Sequence, residues 1–418
     1  MVLAVGATGI TAALVPAGTA AAANQTVTNC NDSGAGSLRQ AVINAGSGDN
    51  IDFNFTVACS TITLTSGAIE INKSLTITGP GANMLAVSGD STSQVFKVDA
   101  GVTVGISGLT IEDGKNTEGY CSYGCQASGG GIENAGTLTL TEDVVTENTS
   151  LGGCFQYCGA FGGGIENDAT GTLTVTDSTV SDNTASGTCG PSDCSGMGGG
   201  IVNYGTLTIT DSAVSDNNAY SGCDNNCGAS GGGLENEPGA TATVSDSNFD
   251  DNSALLGCTD QCGASGAGID NGGTLTVADS HFSENSAGAY CDTQCAPMGG
   301  GIANEAGATM SLTTDVLTAN SALTGCSSGC NPLGGGLYND GSVTVESSTI
   351  IDSGQLGGDC YLAKPLVDLG GNVDDDGTCF LPHNGSLVAA VVEVETSPAY
   401  AGDSVEISSS QLQSACGR

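Results

Sequence analysis

The chain has 418 residues, with 45 Asp plus Glu against six Lys plus Arg, a formal charge of −39 at pH 7, no Trp and only 4% aromatic residues. A surface this acidic, with no Lys or Arg between Asn116 and Ala363, repels nucleic acid, anionic membranes and acidic polysaccharides. So few rings predict a core of small and β-branched side chains, in either two ordinary domains or one elongated repeat protein.

The opening "MVLAVGATGITAALVPAGTAAAANQ" reads as the apolar part of a signal peptide, residues 1–23, with small residues at a cleavage site near Ala23. Nineteen cysteines agree with an oxidising compartment and predict a secreted or cell-surface location. No later segment has about 18 uninterrupted apolar residues, so no membrane insertion is expected. Next comes "CNDSGAGSLRQAVINAGSGDNIDF". There Ser37 can cap a short helix whose Leu38, Ala41 and Val42 form one apolar side. Such a helix would cover the raw edge of a sheet structure, which otherwise invites end-to-end self-association.

From about residue 101 the sequence repeats. The Asn closing each "GGGI-x-N" unit falls at Asn134, Asn167, Asn203, Asn236, Asn271, Asn304 and Asn339, every 33 to 36 residues. A second series runs Asn148, Asn183, Asn217, Asn252, Asn285 and Asn320. Within each unit the period is two: in "TLTVT", Leu173 and Val175 face one way and the threonines the other. About three short strands per unit, separated by tight turns, are predicted. One unit cannot bury its own apolar side, but units stacked about 4.8 Å apart build a continuous narrow core. The asparagines then become internal amide ladders. This organisation divides the chain into 24–100 (cap and first coils), 101–339 (repeats) and 340–386 (last coils), followed by a tail, 387–418.

The "GGGI" and "FSEN"-type motifs resemble the repeats of polymorphic outer-membrane-type proteins, and "GSLRQA" (Gly36 to Ala41) is similar to the CSLREA-type region of secreted bacterial β-helix proteins. Here the family's leading Cys is Gly36 and its Glu is Gln40. The resemblance implies an all-β, right-handed, single-stranded parallel β-helix (a solenoid of about ten coils) with a pectin-lyase-like fold, and an adhesive or structural role at a cell surface. The tail looks like the opening strands of a bacterial immunoglobulin-like module cut short.

Each repeat also carries a cysteine pair: Cys121/Cys125, Cys154/Cys158, Cys189/Cys194, Cys223/Cys227, Cys258/Cys262, Cys291/Cys295 and Cys326/Cys330. Cys30 with Cys59 and Cys360 with Cys379 make two more. Zinc would favour C-x2-C spacing with histidine, so local disulfides closing side loops are expected.

Catalytic carboxylates should form a unique pair with separated pKa values. The visible acids are instead replicated: Asp177, Asp211, Asp246 and Asp279 in one series, Glu147, Asp182, Asp216, Asp251 and Glu284 in another. Asp374 to Asp376 is a nonrepeated cluster and reads as a solvated turn. The expectation is therefore a protein without catalysis, a structural or adhesive module whose partner is an extracellular surface or glycan. One alternative is ice binding through the outward threonines Thr137, Thr139, Thr172, Thr174, Thr206, Thr208, Thr241, Thr243, Thr274 and Thr276. The other is a polysaccharide lyase or hydrolase. No cofactor is expected, apart from weak calcium at Asp177, Asp211, Asp246 and Asp279, where stacked like charges would welcome a cation.

Overall fold

A computed structural model describes residues 23–117, 124–259, 262–292, 295–325, 329–353, 357–380 and 387–388. All but the last residue of the expected signal peptide, and nearly all of the tail, lie outside these residues. Within them the chain is an all-β parallel solenoid with one short helix.

The four repeats that start at Ile132, Ile165, Ile201 and Leu234 each pass through five strands rather than three. In the repeat that starts at Ile132 these are Ile132–Asn134, Thr137–Thr141, Val144–Thr146, Thr149–Gln156 and Gly159–Phe161. Each strand pairs in parallel with its counterpart one repeat on, Leu138 with Leu173 and Asn134 with Asn167. The first three strand types form sheets of ten, twelve and twelve strands, called here the I-x-N, threonine and second sheets. Their inner faces enclose the main core, in which Leu138, Leu140, Val145, Ile165 and Leu173 are essentially inaccessible to solvent. Each such side chain contributes about 1.5–3 kcal/mol by burial.

The other two strand types form sheets of seven and five strands. They leave the main core, turn at the cysteine loop and come back, making a wing with its own small core of alanines and cysteines. The chain is thus not ten equal coils: seven strands carry the outbound side of the wing, while further strands extend the three main sheets at either end.

Local sequence explains the corners. Asp177, Asp211, Asp246 and Asp279 turn the chain from the threonine sheet to the second sheet with φ of 48° to 52°. Asp182, Asp216 and Asp251, with φ of 54° to 56°, turn it from the second sheet into the wing. Short polar side chains tolerate this left-handed region best, so both acidic series mark corners. In "GGG" the first glycine, such as Gly162 at φ 56°, occupies the same region. The second, such as Gly163, has no room for a Cβ against the Gly199 carbonyl and the Thr184 backbone.

Helix α1, Leu38–Asn44, lies at the amino-terminal end. The Ser37 hydroxyl accepts from the Gln40 N–H at 3.2 Å, and Leu38, Ala41 and Val42 are buried against the first coil. Arg39 fixes α1 through Asp32, at 2.7 Å, and through the carbonyls of Gly67 and Ala68.

Candidate active site

The asparagines form two rows inside the solenoid. Asn134 Nδ2 donates to Asn167 Oδ1 at 2.7 Å, and the row continues through Asn203, Asn236, Asn271 and Asn304 to Asn339. A second row links Asn148, Asn183, Asn217, Asn252, Asn285 and Asn320 at 2.9 to 3.0 Å. All are buried. An amide that finds both its partners in its neighbours satisfies the coil corner without water, so these residues serve the scaffold.

The cysteines sit at the tip of the wing. Cys154–Cys158, Cys189–Cys194, Cys223–Cys227, Cys258–Cys262 and Cys291–Cys295 are bonded within their own loops, with Cα atoms 5.7 to 6.7 Å apart. Cys30–Cys59 and Cys360–Cys379 are also bonded. Cys125 and Cys330 are disulfide-bonded; Cys121 and Cys326 lie outside the described residues. This many disulfides suits an extracellular protein, and no helix among the described residues is long and apolar enough to cross a membrane.

The threonines stand in two in-register columns on the outer face of the threonine sheet, Thr137 through Thr274 and Thr139 through Thr276. The corner residues Asp177, Asp211, Asp246 and Asp279 are exposed. Neither set meets the feature with chemical potential, which lies where the wing folds back beside the I-x-N sheet.

The middle residue of each I-x-N strand points away from the main core. On a bare β-helix it would face water. Here the wing covers it from Glu166 to Ala303, leaving a groove of 690 Å³ whose floor carries Glu235 and Asp270, with Ser230 and Ser265 on the wing side and Glu237 and Glu305 beyond. Glu235 and Asp270 are direct partners on adjacent strands, 6% and 3% exposed. Each is held by a wing serine: the Ser230 hydroxyl donates to Glu235 and the Ser265 hydroxyl to Asp270 Oδ2. Glu235 Oε2 and Asp270 Oδ1 are buried with no hydrogen-bond partner among the described residues.

The column is not uniform. Its members run Lys97, Glu133, Glu166, Val202, Glu235, Asp270, Ala303, Tyr338 and Tyr361 in register. Val202 and Ala303 therefore isolate Glu235 and Asp270 as a pair. On one side of them Lys97 Nζ is bound to Glu133 at 2.5 Å. On the other, Tyr338 and Tyr361 stack with ring centroids 5.8 Å apart and planes within 1°.

Burial dominates the electrostatics. It pushes the Asp270 carboxyl up to about 8, with the Glu305 charge adding to the effect. Glu235 is raised well above the ordinary carboxylate range, first by burial and then by the Asp270 charge. Glu237 is raised by burial against a hydrogen bond from Tyr204, and Glu305 by burial and Asp340. Two like charges on adjacent strands cannot both ionise cheaply, so the pair retains a proton near neutral pH. Such an arrangement can donate a proton from one carboxyl while presenting the other as a base or nucleophile.

No protein-family model matches the chain, and no curated protein does. Solved structures to which it is similar include ORF18 of Geobacillus virus E2, at 14% identity over 74% of this chain and 61% of that one (TM-score 0.34). They also include an alginate lyase from Paenibacillus sp. str. FPU-7, at 12% identity over 82% and 99% (0.37), and the pectate lyase Pel9A, at 15% over 74% and 78% (0.33). This chain spans 61% of the length of the viral protein.

The expectation of a protein without catalysis is corrected: it rested on the corner acids, which are exposed and replicated coil after coil, whereas Glu235 and Asp270 are buried together on the floor of one groove. The reading missed them because it followed the corner acids. The signal was present as the varying x of GGGI-x-N, where acids occupy two successive units between an apolar Val202 and Ala303.

Proposed function

We propose that the chain is an extracellular enzyme that cleaves a neutral polysaccharide by hydrolysis in the groove between the wing and the I-x-N sheet. The observation that carries this reading is the Glu235–Asp270 pair: two in-register carboxyls, both buried and each oriented by a serine, whereas in the column's other acidic pair, Glu133 and Glu166, Glu133 is taken by Lys97. One carboxyl protonates the glycosidic oxygen while the other attacks the anomeric carbon; water then releases the sugar, with the first residue acting as base. Direct partners on adjacent strands suit the closely spaced carboxyls of retaining glycosidases better than the wider pair of inverting ones, so the proposal includes retention of configuration.

Two further features support a glycan. Tyr338 and Tyr361 offer a flat aromatic surface on the same column, two and three coils beyond Asp270, against which sugar rings can lie. The acids around the pair disfavour uronate polymers by simple repulsion. Lys97, the basic residue of this column, is not free to serve as the base of a β-elimination: it is ion-paired, and its hydrogen bond with Glu133 raises its pKa, which keeps it protonated.

The test is a panel of neutral and uronate polysaccharides assayed for new reducing ends and for the ultraviolet absorbance of an unsaturated product. Reducing ends from a neutral glycan, without that absorbance, are expected. Glu235→Gln and Asp270→Asn should each lower the rate by about 10²–10⁴-fold with the melting temperature kept. Absence of cleavage across the panel, full activity in both variants, or an unsaturated product would overturn the reading.

A further inference from the structure

We propose a calcium site at the carboxyl-terminal end of the solenoid, formed by Asp359, Asp374 and Asp376. One carboxylate oxygen from each lies within 4.8 Å of the other two. Three oxygens that close can share an ion at the calcium–oxygen distance of about 2.3–2.6 Å. The place is not a solvated turn: Asp374 is inaccessible and Asp359 is 2% exposed.

Hydrogen bonding accounts for most of the oxygens. Asp374 accepts from the N–H groups of Asp376, Gly377, Cys379 and Phe380, at 2.8 to 3.1 Å. Asp376 accepts from the N–H of Asp359 at 3.0 Å and from the N–H and hydroxyl of Thr378 at 2.9 and 2.6 Å. Asp359 Oδ1 accepts from the Ser353 N–H at 2.7 Å. That leaves Asp359 Oδ2 buried with no N–H or hydroxyl donor among the described residues, facing the carboxyl of Asp375, with which Asp359 makes a carboxyl–carboxyl contact, and near that of Asp376. The ion pairs among the described residues involve none of these acids; the nearby Lys364 is taken by Asp340 at 3.2 Å. A buried carboxylate oxygen aimed at other carboxylates, with no basic side chain to answer it, is what a bound cation resolves.

Oxygen-only ligands exclude a thiolate-type zinc centre, and an irregular set of carboxylates suits calcium better than the strict octahedron magnesium demands. The ion would have a structural task. The Asp359 carbonyl accepts from the N–H groups of Gly336 and Leu337, and the next residue, Cys360, is bonded to Cys379. Ion and disulfide together would pin the last coil over Phe380 and the end of the core.

The test uses the full chain, stripped with chelator and titrated with calcium chloride by calorimetry. A single saturable site with Kd of about 0.1–1 mM is expected. The melting temperature should rise beyond that in sodium chloride of equal ionic strength, and magnesium should not reproduce the rise. Asp376→Asn, at an exposed position, should weaken binding at least tenfold, and Asp359→Asn likewise if it folds. Asp246→Asn, at an exposed corner, should bind as the unmodified protein does. No saturable binding, an equal response to magnesium, or full binding in Asp376→Asn would overturn the site. So would binding lost only in Asp246→Asn, which would put the ion on the corner acids.

Discussion

At the corner between the threonine and second sheets, five coils bury a serine: Ser178, Ser212, Ser247, Ser280 and Ser348. Asp143 and Asp315 occupy the same column, each 1% exposed. Asp143 accepts from the N–H groups of Leu109 and Thr141, yet burial outweighs both bonds and lifts its carboxyl to about 7. Asp315 is lifted to about 7 in the same way. A carboxyl whose folded pKa lies above its ordinary 3.8 binds its proton more tightly in the folded chain. Its stabilisation is therefore complete below the ordinary value and disappears as pH rises through about 7. Glu166, at about 7, and Asp270, at about 8, act in the same direction. The melting temperature should accordingly climb as pH falls from about 9 to about 5, the reverse of a protein held by ion-paired carboxylates. Asp143→Ser, which restores the residue of the neighbouring coils, should gain on the order of 1–3 kcal/mol at pH 8, since one pKa unit corresponds to about 1.4 kcal/mol, and should flatten the profile. Scanning fluorimetry across pH checks both; a flat profile in the unmodified protein would show that these groups titrate normally.

The wing is where sequence and structure part company. Strands such as Thr172–Thr176 are legible because alternating Leu, Val and Thr leave one arrangement that buries the apolar set. Gly228–Ser230 and Gly263–Ser265 carry glycine, alanine and serine, which have weak strand preference, and they become strands only by pairing with the coils above and below. A reading of single repeats sees a side loop. The same gap hides the groove, since Glu235 and Asp270 are buried only because the wing folds over them. The wing core is separate from the main one and is stapled by disulfides closing loops of four or five residues. Short loops gain least from cross-linking, so the wing should be the weaker unit. On warming, amide exchange should accelerate first at Gly228–Ser230 and Gly263–Ser265 while Leu207 and Ile209 stay protected, reduction should add little to this, and the proposed cleavage should fall with the loss of the groove wall. A single transition that melts both units together would contradict this separation.

For the whole molecule, each coil touches only its neighbours, so stability is close to a sum of coil and interface terms. A defect in the middle should then divide unfolding into parts. Gly199 is suited to this, because a Cβ there would run into the Asn218 backbone and the Gly232 carbonyl. Gly199→Ala should cost about 1–3 kcal/mol, as overpacking does, and should replace one urea transition by two of lower slope, followed by circular dichroism. One transition of unchanged slope would mean that the rod unfolds as a single block.

The asparagine rows also give the molecule a direction. In both rows each Nδ2 donates to the residue one coil further on, so the amide dipoles point the same way along the axis and polarise one another. Their hydrogens face the carboxyl-terminal end and their carbonyls the amino-terminal end. Both rows end inside the rod. The Asn134 and Asn148 carbonyls accept from the N–H groups of Gly136 and Gly114, and the last amides, Asn339 and Asn320, donate to the carbonyls of Lys364 and Phe282. The polarity is therefore a property of the interior, which tells one direction along the axis from the other while the chain's own backbone closes each row.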